Sequence, residues 1–234
     1  MYEPCNLSEG FVRVVDIFDE VSDDLRAERT TKFLRRYGSL MLLAAGLVLL
    51  GVAGYQGYIY WQAKQNQQAA AGYLAITTKI DQAGSTLTDA ERASDAAGLV
   101  NFAAHAPAGY ATLARLRAAA LFADAGQLDK ADAQWDAVSS NGQAGPLMRD
   151  LATLLWAQHA LGIAPDATVL AKLSPLMVPA NPWHALAQET AALADIKSGD
   201  INGAKMLLNG IVTDNTAPAG VRDRADGLLA QLNG

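Results

Sequence analysis

Residues 119–135 read AALFADAGQLDKADAQW. Ala119 and Phe122 precede Gly126, and Ala131 and Trp135 follow it. On both sides of the glycine the apolar residues recur three or four apart, the spacing of one helical face. Glycine is the residue that most readily takes the left-handed conformation that ends a helix. The stretch therefore predicts two helices joined by a tight turn and packed through small and aromatic side chains. The arrangement returns 73 residues later as Ala192, Gly199, Ala204 and Leu208, with the same intervals between the four positions.

Working outward, helix breakers punctuate the chain from Gly84 to Gly220 at regular intervals. Between them the alanine- and leucine-rich segments predict helices over roughly 88–105, 108–124, 128–140, 146–161, 167–177, 182–197, 201–213 and 218–232. Thr88 and Asp166 stand where N-caps belong, and Gly126, Gly162 and Gly199 where a helix-ending glycine belongs. No window alternates apolar and polar residues as a strand would. The class is all-α, built of stacked antiparallel pairs, either a bundle or an α-solenoid.

The repeated spacing favours the solenoid, because it resembles the tetratricopeptide repeat. In that repeat a small residue of the first helix faces the alanine of the second, and a bulky apolar residue packs into the next pair. The resemblance assigns repeat packing to Ala119, Phe122, Gly126, Ala131, Trp135, Ala192, Gly199, Ala204 and Leu208. Asp195 occupies a position where the repeat has an aromatic.

Ahead of this region, YGSLMLLAAGLVLLGVAGYQGYIYWQA (37–63) holds no charged side chain. The span from Ser39 to Tyr60 rises about 33 Å as a helix, against a hydrocarbon core of about 30 Å. It is too long, and too far from the start, for a cleaved signal peptide. Tyr55, Tyr58, Tyr60 and Trp61 close it with an aromatic belt. The helix is expected to run on without a break to Ala83. Gly51, Ala53, Gly54 and Gly57 give the span a small-residue face that would admit a partner helix.

Arg26, Arg29, Lys32, Arg35 and Arg36 precede the span, and Lys64 is the first basic residue after it. Positive charge stays on the cytoplasmic side. The expected organisation is a cytoplasmic tail over 1–37, a transmembrane helix over 38–61 and an exported helical domain over 62–234. The domain carries 12 Lys and Arg against 16 Asp and Glu, which excludes the basic footprint of a nucleic-acid binder. Cys5, the only cysteine, lies in the tail, so the exported domain has no disulfide.

No catalytic constellation is legible. His105, His159 and His184 lack metal-ligand spacing, and there is no nucleophile elbow or phosphate loop. His105 ends a helix, where its ring can satisfy a carbonyl. Asp129, Asp132 and Asp136 read as one solvated face, and Trp135, Trp156 and Trp183 as core. No cofactor, metal or small-molecule substrate is expected.

Taken together, several residues in order carry a wider resemblance. Asn101-Phe102-Ala103-Ala104-His105 leads into Gly109-Tyr110-Ala111, Leu113, Ala114 and Leu116. Gly126, Leu128, Lys130 and Ala131 follow, then Trp183, Leu186 and Ala187, then Lys197, Gly199 and Asp200. With the tail and the aromatic-ended span, this is similar to the YfgM-like ancillary subunits of the bacterial SecYEG translocon. The resemblance implies a single-pass inner-membrane protein with a periplasmic tetratricopeptide-like domain. Its implied partners are the translocon and a membrane-anchored periplasmic chaperone, and its implied role is non-enzymatic. The first helices of each pair would supply the binding groove, with Leu113, Leu116 and Asp124 as its candidates. The alternative is a scaffold or accessory subunit of another cell-envelope complex, which the same fold would serve equally.

Overall fold

A computed structural model describes the backbone of residues 17–234 and the side chains from Arg35 onward. Cys5, the acidic residues of the tail, and Arg26, Arg29 and Lys32 lie outside the residues whose side chains are described. The described residues contain nine α-helices, two short 3₁₀ turns and no strand. The fold is all-α, as the composition and breaker spacing imply.

α1 runs from Ile17 to Ala83. It starts well before the apolar stretch, because residues 17–37 contain no proline or glycine to stop it. The chain divides into two compact units, the second being Ala63–Gly234. In the first, Leu42 and Leu50 are 76% and 71% exposed, and among the described residues no part of the apolar stretch is buried. This helix is long and apolar enough to cross a membrane.

The second unit holds the end of α1 and α2 (Asp89–His105), α3 (Ala108–Asp124), α4 (Leu128–Ser139), α5 (Pro146–Ala160), α6 (Asp166–Leu173), α7 (His184–Ser198), α8 (Ile201–Thr213) and α9 (Ala219–Asn233). From α2 onward each helix packs on the next in sequence, and α3, α5, α7 and α9 also contact one another in turn. That is the contact pattern of an α-solenoid. The leading helices α3, α5, α7 and α9 begin 38, 38 and 35 residues apart.

The turns repeat with the helices. Gly84, Gly126, Gly162 and Gly199 follow α1, α3, α5 and α7, all with positive φ (51°, 72°, 75° and 87°). Thr88 builds a full capping box with Glu91 at the start of α2. Asp166 is the first residue inside α6 rather than its cap. Pro165 takes the cap position with an extended backbone, and the Asp166 carboxylate sits in the first turn, where the helix dipole favours it. α6 stops at Leu173 rather than 177 because Pro175 cannot donate to an α-helical bond, and a 3₁₀ turn over Ser174–Leu176 replaces the last turn.

The core is alanine-rich. Leu99, Trp135, Leu154 and Leu173 anchor one cluster reaching from the end of α1 to α7. Leu208, Ile211, Val221 and Leu229 anchor a second, between α7 and α9. Each buried leucine contributes about 1.5–3 kcal/mol. α7 serves both clusters. It puts Ala187, Ala191 and Ala194 into the first and Ala185 and Ala192 into the second. Small side chains on both faces let α5, α6, α8 and α9 approach it closely.

Candidate functional site

The residues assigned to repeat packing lie as follows. Ala119, Ala131, Ala192, Ala204 and Leu208 have no exposed surface, Trp135 is 1% exposed and Phe122 is 4% exposed. A Cβ added at Gly126 or Gly199 would meet no atom within 4 Å, so backbone conformation alone requires glycine there. Asp195, in the aromatic's place, is buried. Burial first, then the charges of Asp200 and Asp166, raises its carboxyl above the ordinary range.

Contacts between successive pairs recur at one interval. Arg117 pairs with Asp81, Lys172 with Asp136 at 3.2 Å, and the Trp183 Nε1 and Lys197 Nζ donate to the Leu147 and Leu161 carbonyls at 3.0 and 3.1 Å. Each joins residues 36 apart. Arg224 grips Glu189 with two bonds of 2.6 Å across 35 residues. No motif in the sequence marks these rungs, although the 36-residue recurrence of opposite charges is a signal that could have found them.

The acidic face of α4 is not simply solvated. Asp136 takes the Lys172 ammonium, which also lies 4.0 Å over the Trp156 ring. Asp132 is half-buried, and burial raises its pKa above the usual value despite a hydrogen bond from Trp156. The face lies on the seam with the next pair. Of the histidines, His159 stacks on Trp135 at 4.9 Å and His105 Nδ1 lies 3.1 Å from the Asn101 carbonyl. Trp135 and Trp156 are buried, and Trp183 is half-buried. Among the described residues no group of three or more His, Cys, Asp or Glu is arranged to hold a metal.

Leu113 is 40% exposed, Leu116 is half-buried against the first cluster and Asp124 is exposed. All three lie on α3, within about 80° of one another around its axis at about 100° per residue. Asp124 borders a small cavity with Asp81, Arg92 and Arg117, and Leu113 and Leu116 lie outside that lining. In the span, Gly51, Ala53, Gly54 and Gly57 are exposed, and a Cβ at any of the three glycines would meet nothing within 4 Å.

A larger cleft of about 620 Å³ opens between residues 65–76 of α1 and 98–105 of α2. Gln65, Gln68 and Asn101 stand on its walls, and Ala69, Ile76 and Phe102 supply apolar surface. Phe102 and Tyr110 both lie against Tyr73, with ring centroids 6.3 and 6.2 Å away. Nothing in the sequence marks this cleft, because it depends on how two helices 30 residues apart meet.

The comparisons with known proteins agree with the helical stack. No curated protein and no solved structure matches the chain. A family described as a tetratricopeptide repeat-like domain matches residues 31–205, about three quarters of the chain, from within α1 to within α8. The chain therefore belongs to the tetratricopeptide repeat-like domain family.

Proposed function

We propose that this protein is a membrane-anchored, non-enzymatic scaffold that assists protein export. The family is one whose domains generally mediate protein–protein contacts. The observation that carries the reading is the combination of that helical stack with an apolar stretch of α1 that is unburied among the described residues. In this reading residues 38–61 cross the bacterial inner membrane, 1–37 face the cytoplasm and 62–234 stand in the periplasm, as the basic residues before the span favour.

The finer reading takes its partners from the resemblance to the YfgM-like subunits. The span, through Gly51, Ala53, Gly54 and Gly57, docks on the SecYEG translocon. The leading helices, through Leu113, Leu116 and Asp124, meet a membrane-anchored periplasmic chaperone or an emerging chain. In-cell photo-crosslinking tests both arms, with a photoreactive residue at Gly54 and another at Leu116. Adducts to translocon subunits from the first and to a periplasmic chaperone from the second are expected. Adducts to a different envelope complex, with none to the translocon, would replace this reading by an accessory role in that complex.

A further inference from the structure

Both ends of α8 meet α7 through groups that bind protons. At the far end Asp214, the residue after α8, reaches back to His184, the first residue of α7, with 2.7 Å between Oδ2 and Nε2. The Asn181 carbonyl lies 2.9 Å from the other ring nitrogen. Both neighbours are acceptors, so a cationic ring serves the two and a neutral ring only one. At the near end Asp200 caps α8, its Oδ1 accepting the Gly203 N–H at 2.9 Å. The second oxygen of Asp200 and Oδ2 of Asp195, in the last turn of α7, converge on one space. They would stand 2.6 and 3.0 Å from a Cβ built on Gly203.

Asp195 is 8% exposed, and its carboxylate accepts no hydrogen bond from any other described residue. Ionised, it is a buried charge close to the carboxylates of Asp200 and Asp166. Protonated, it is a donor facing the same space as an Asp200 oxygen. The cations of the surrounding elements are engaged elsewhere. Lys197 Nζ donates to the Leu161 carbonyl, Arg222 to the carbonyls of Asp214, Asn215 and Ala217, and Arg224 to Glu189. Beside His184, Asp150 accepts from the Asn181 carboxamide at 2.8 Å.

The two ends respond to pH in one direction. The hydrogen bond to Asp214 raises the His184 pKa, and burial, then Asp200 and Asp166, raises that of Asp195. A raised value means that the folded chain holds the proton more tightly than the unfolded one. The resulting stability is full below the unfolded values, about 3.9 for Asp and about 6.5 for His. It is lost as the pH rises through the folded ones.

We propose that α8 and α9 form a proton-tightened latch on α7, closed at both ends of α8 in mild acid and loosened as the pH rises past neutrality. Loosening lifts Leu208 and Ile211 away from Ala185 and Ala192, so the acidity of the surroundings sets how much of the second apolar cluster is covered. This property goes beyond the scaffold reading and does not depend on its partners.

The test is amide hydrogen exchange on the full chain in nanodiscs at about pH 5 and about pH 8, corrected for intrinsic exchange rates. Protection in α8 and α9 should fall about tenfold between the two, and that of α2 to α5 should change much less. Asp195→Asn removes the buried charge and keeps a donor. It should raise protection of α8 at the higher pH and abolish the part of the pH dependence that lies below about pH 6.5. His184→Gln should abolish the part above it, and the double variant should show neither. If the double variant does not fold, each single variant still has its own part to remove. Protection in α8 and α9 that tracks α2 to α5 across the range overturns the proposal. So does a pH dependence left undiminished by both single variants, or a loss of α8 protection in Asp195→Asn at the higher pH.

Discussion

His184 has an acceptor at each ring nitrogen. The Asn181 carbonyl lies 2.9 Å from Nδ1 and the Asp214 carboxylate 2.7 Å from Nε2. A neutral imidazole donates from one nitrogen only, so both contacts are satisfied when the ring is cationic. The hydrogen bond to Asp214 raises the His184 pKa, with burial opposing it. The Thr216 hydroxyl first, and His184 second, hold the Asp214 carboxyl well below the usual carboxylate range. A raised histidine pKa adds stability that is full below the unfolded value, about 6.5, and is lost as pH rises through the folded value. The lowered Asp214 pKa acts at the other end, its share disappearing only in strong acid. The melting temperature of the wild-type chain should therefore exceed that of His184→Gln by a margin that shrinks as the pH rises above about 6.5. A margin constant over that range would show a neutral ring.

Trp135 offers a second residue-scale prediction. It is 1% exposed, and its Nε1 has no hydrogen-bond partner. Trp135→Phe keeps an aromatic ring and removes the unsatisfied donor. Trp135→Ala leaves a cavity and should cost about 3–5 kcal/mol. Urea denaturation should place the phenylalanine variant clearly above the alanine one, and equal midpoints would mean that ring packing contributes little. The importance of Trp135 was legible from its spacing to Ala131. The partners of His184 were not, because Asp214 reaches it from a turn 30 residues on, and no periodicity reports such a contact.

At the scale of elements, glycines divide by backbone conformation. Gly126 and Gly199 have positive φ and open space where a side-chain carbon would stand, so alanine there meets only backbone strain, about 1–3 kcal/mol. Gly227 lies inside α9, also with nothing within 4 Å, and alanine there should stabilise by about 0.5–1 kcal/mol. Thermal melts of Gly199→Ala and Gly227→Ala should thus move in opposite directions, and parallel shifts would refute the assignment of the turns. Most helix ends were readable because glycine and proline mark them chemically. The exceptions are also chemical. Pro175 shortens α6, and α1 begins early because charged residues without a breaker carry no stop signal. The cover over Asp132 was not legible, because the residues that bury it arrive on α5 and α6.

In Ala63–Gly234 as a whole, stabilising contacts run between neighbours along the sequence, and the two clusters meet at α7. Stability in such a stack is a sum of local terms, so damage should stay local. Leu208→Ala, at a position with no exposed surface, should cost about 2–5 kcal/mol. Amide hydrogen exchange should then accelerate in α8 and α9 and leave α2 to α5 at wild-type rates. Uniform acceleration would instead indicate a single cooperative unit. The stack itself was legible from two copies of one spacing. The cleft between α1 and α2 was not, since it arises from a meeting of helix faces rather than from any motif.

The rungs that join residues 36 apart have a further consequence. Gly126 and Gly162 occupy the same position in successive pairs, so a deletion or duplication of the 36 codons between them would keep the alternation of leading and following helices. Recombination there would change the stack by a whole pair rather than break a helix. The length of surface offered to a partner becomes a quantity that heredity can adjust in steps, independently of the apolar helix that precedes it.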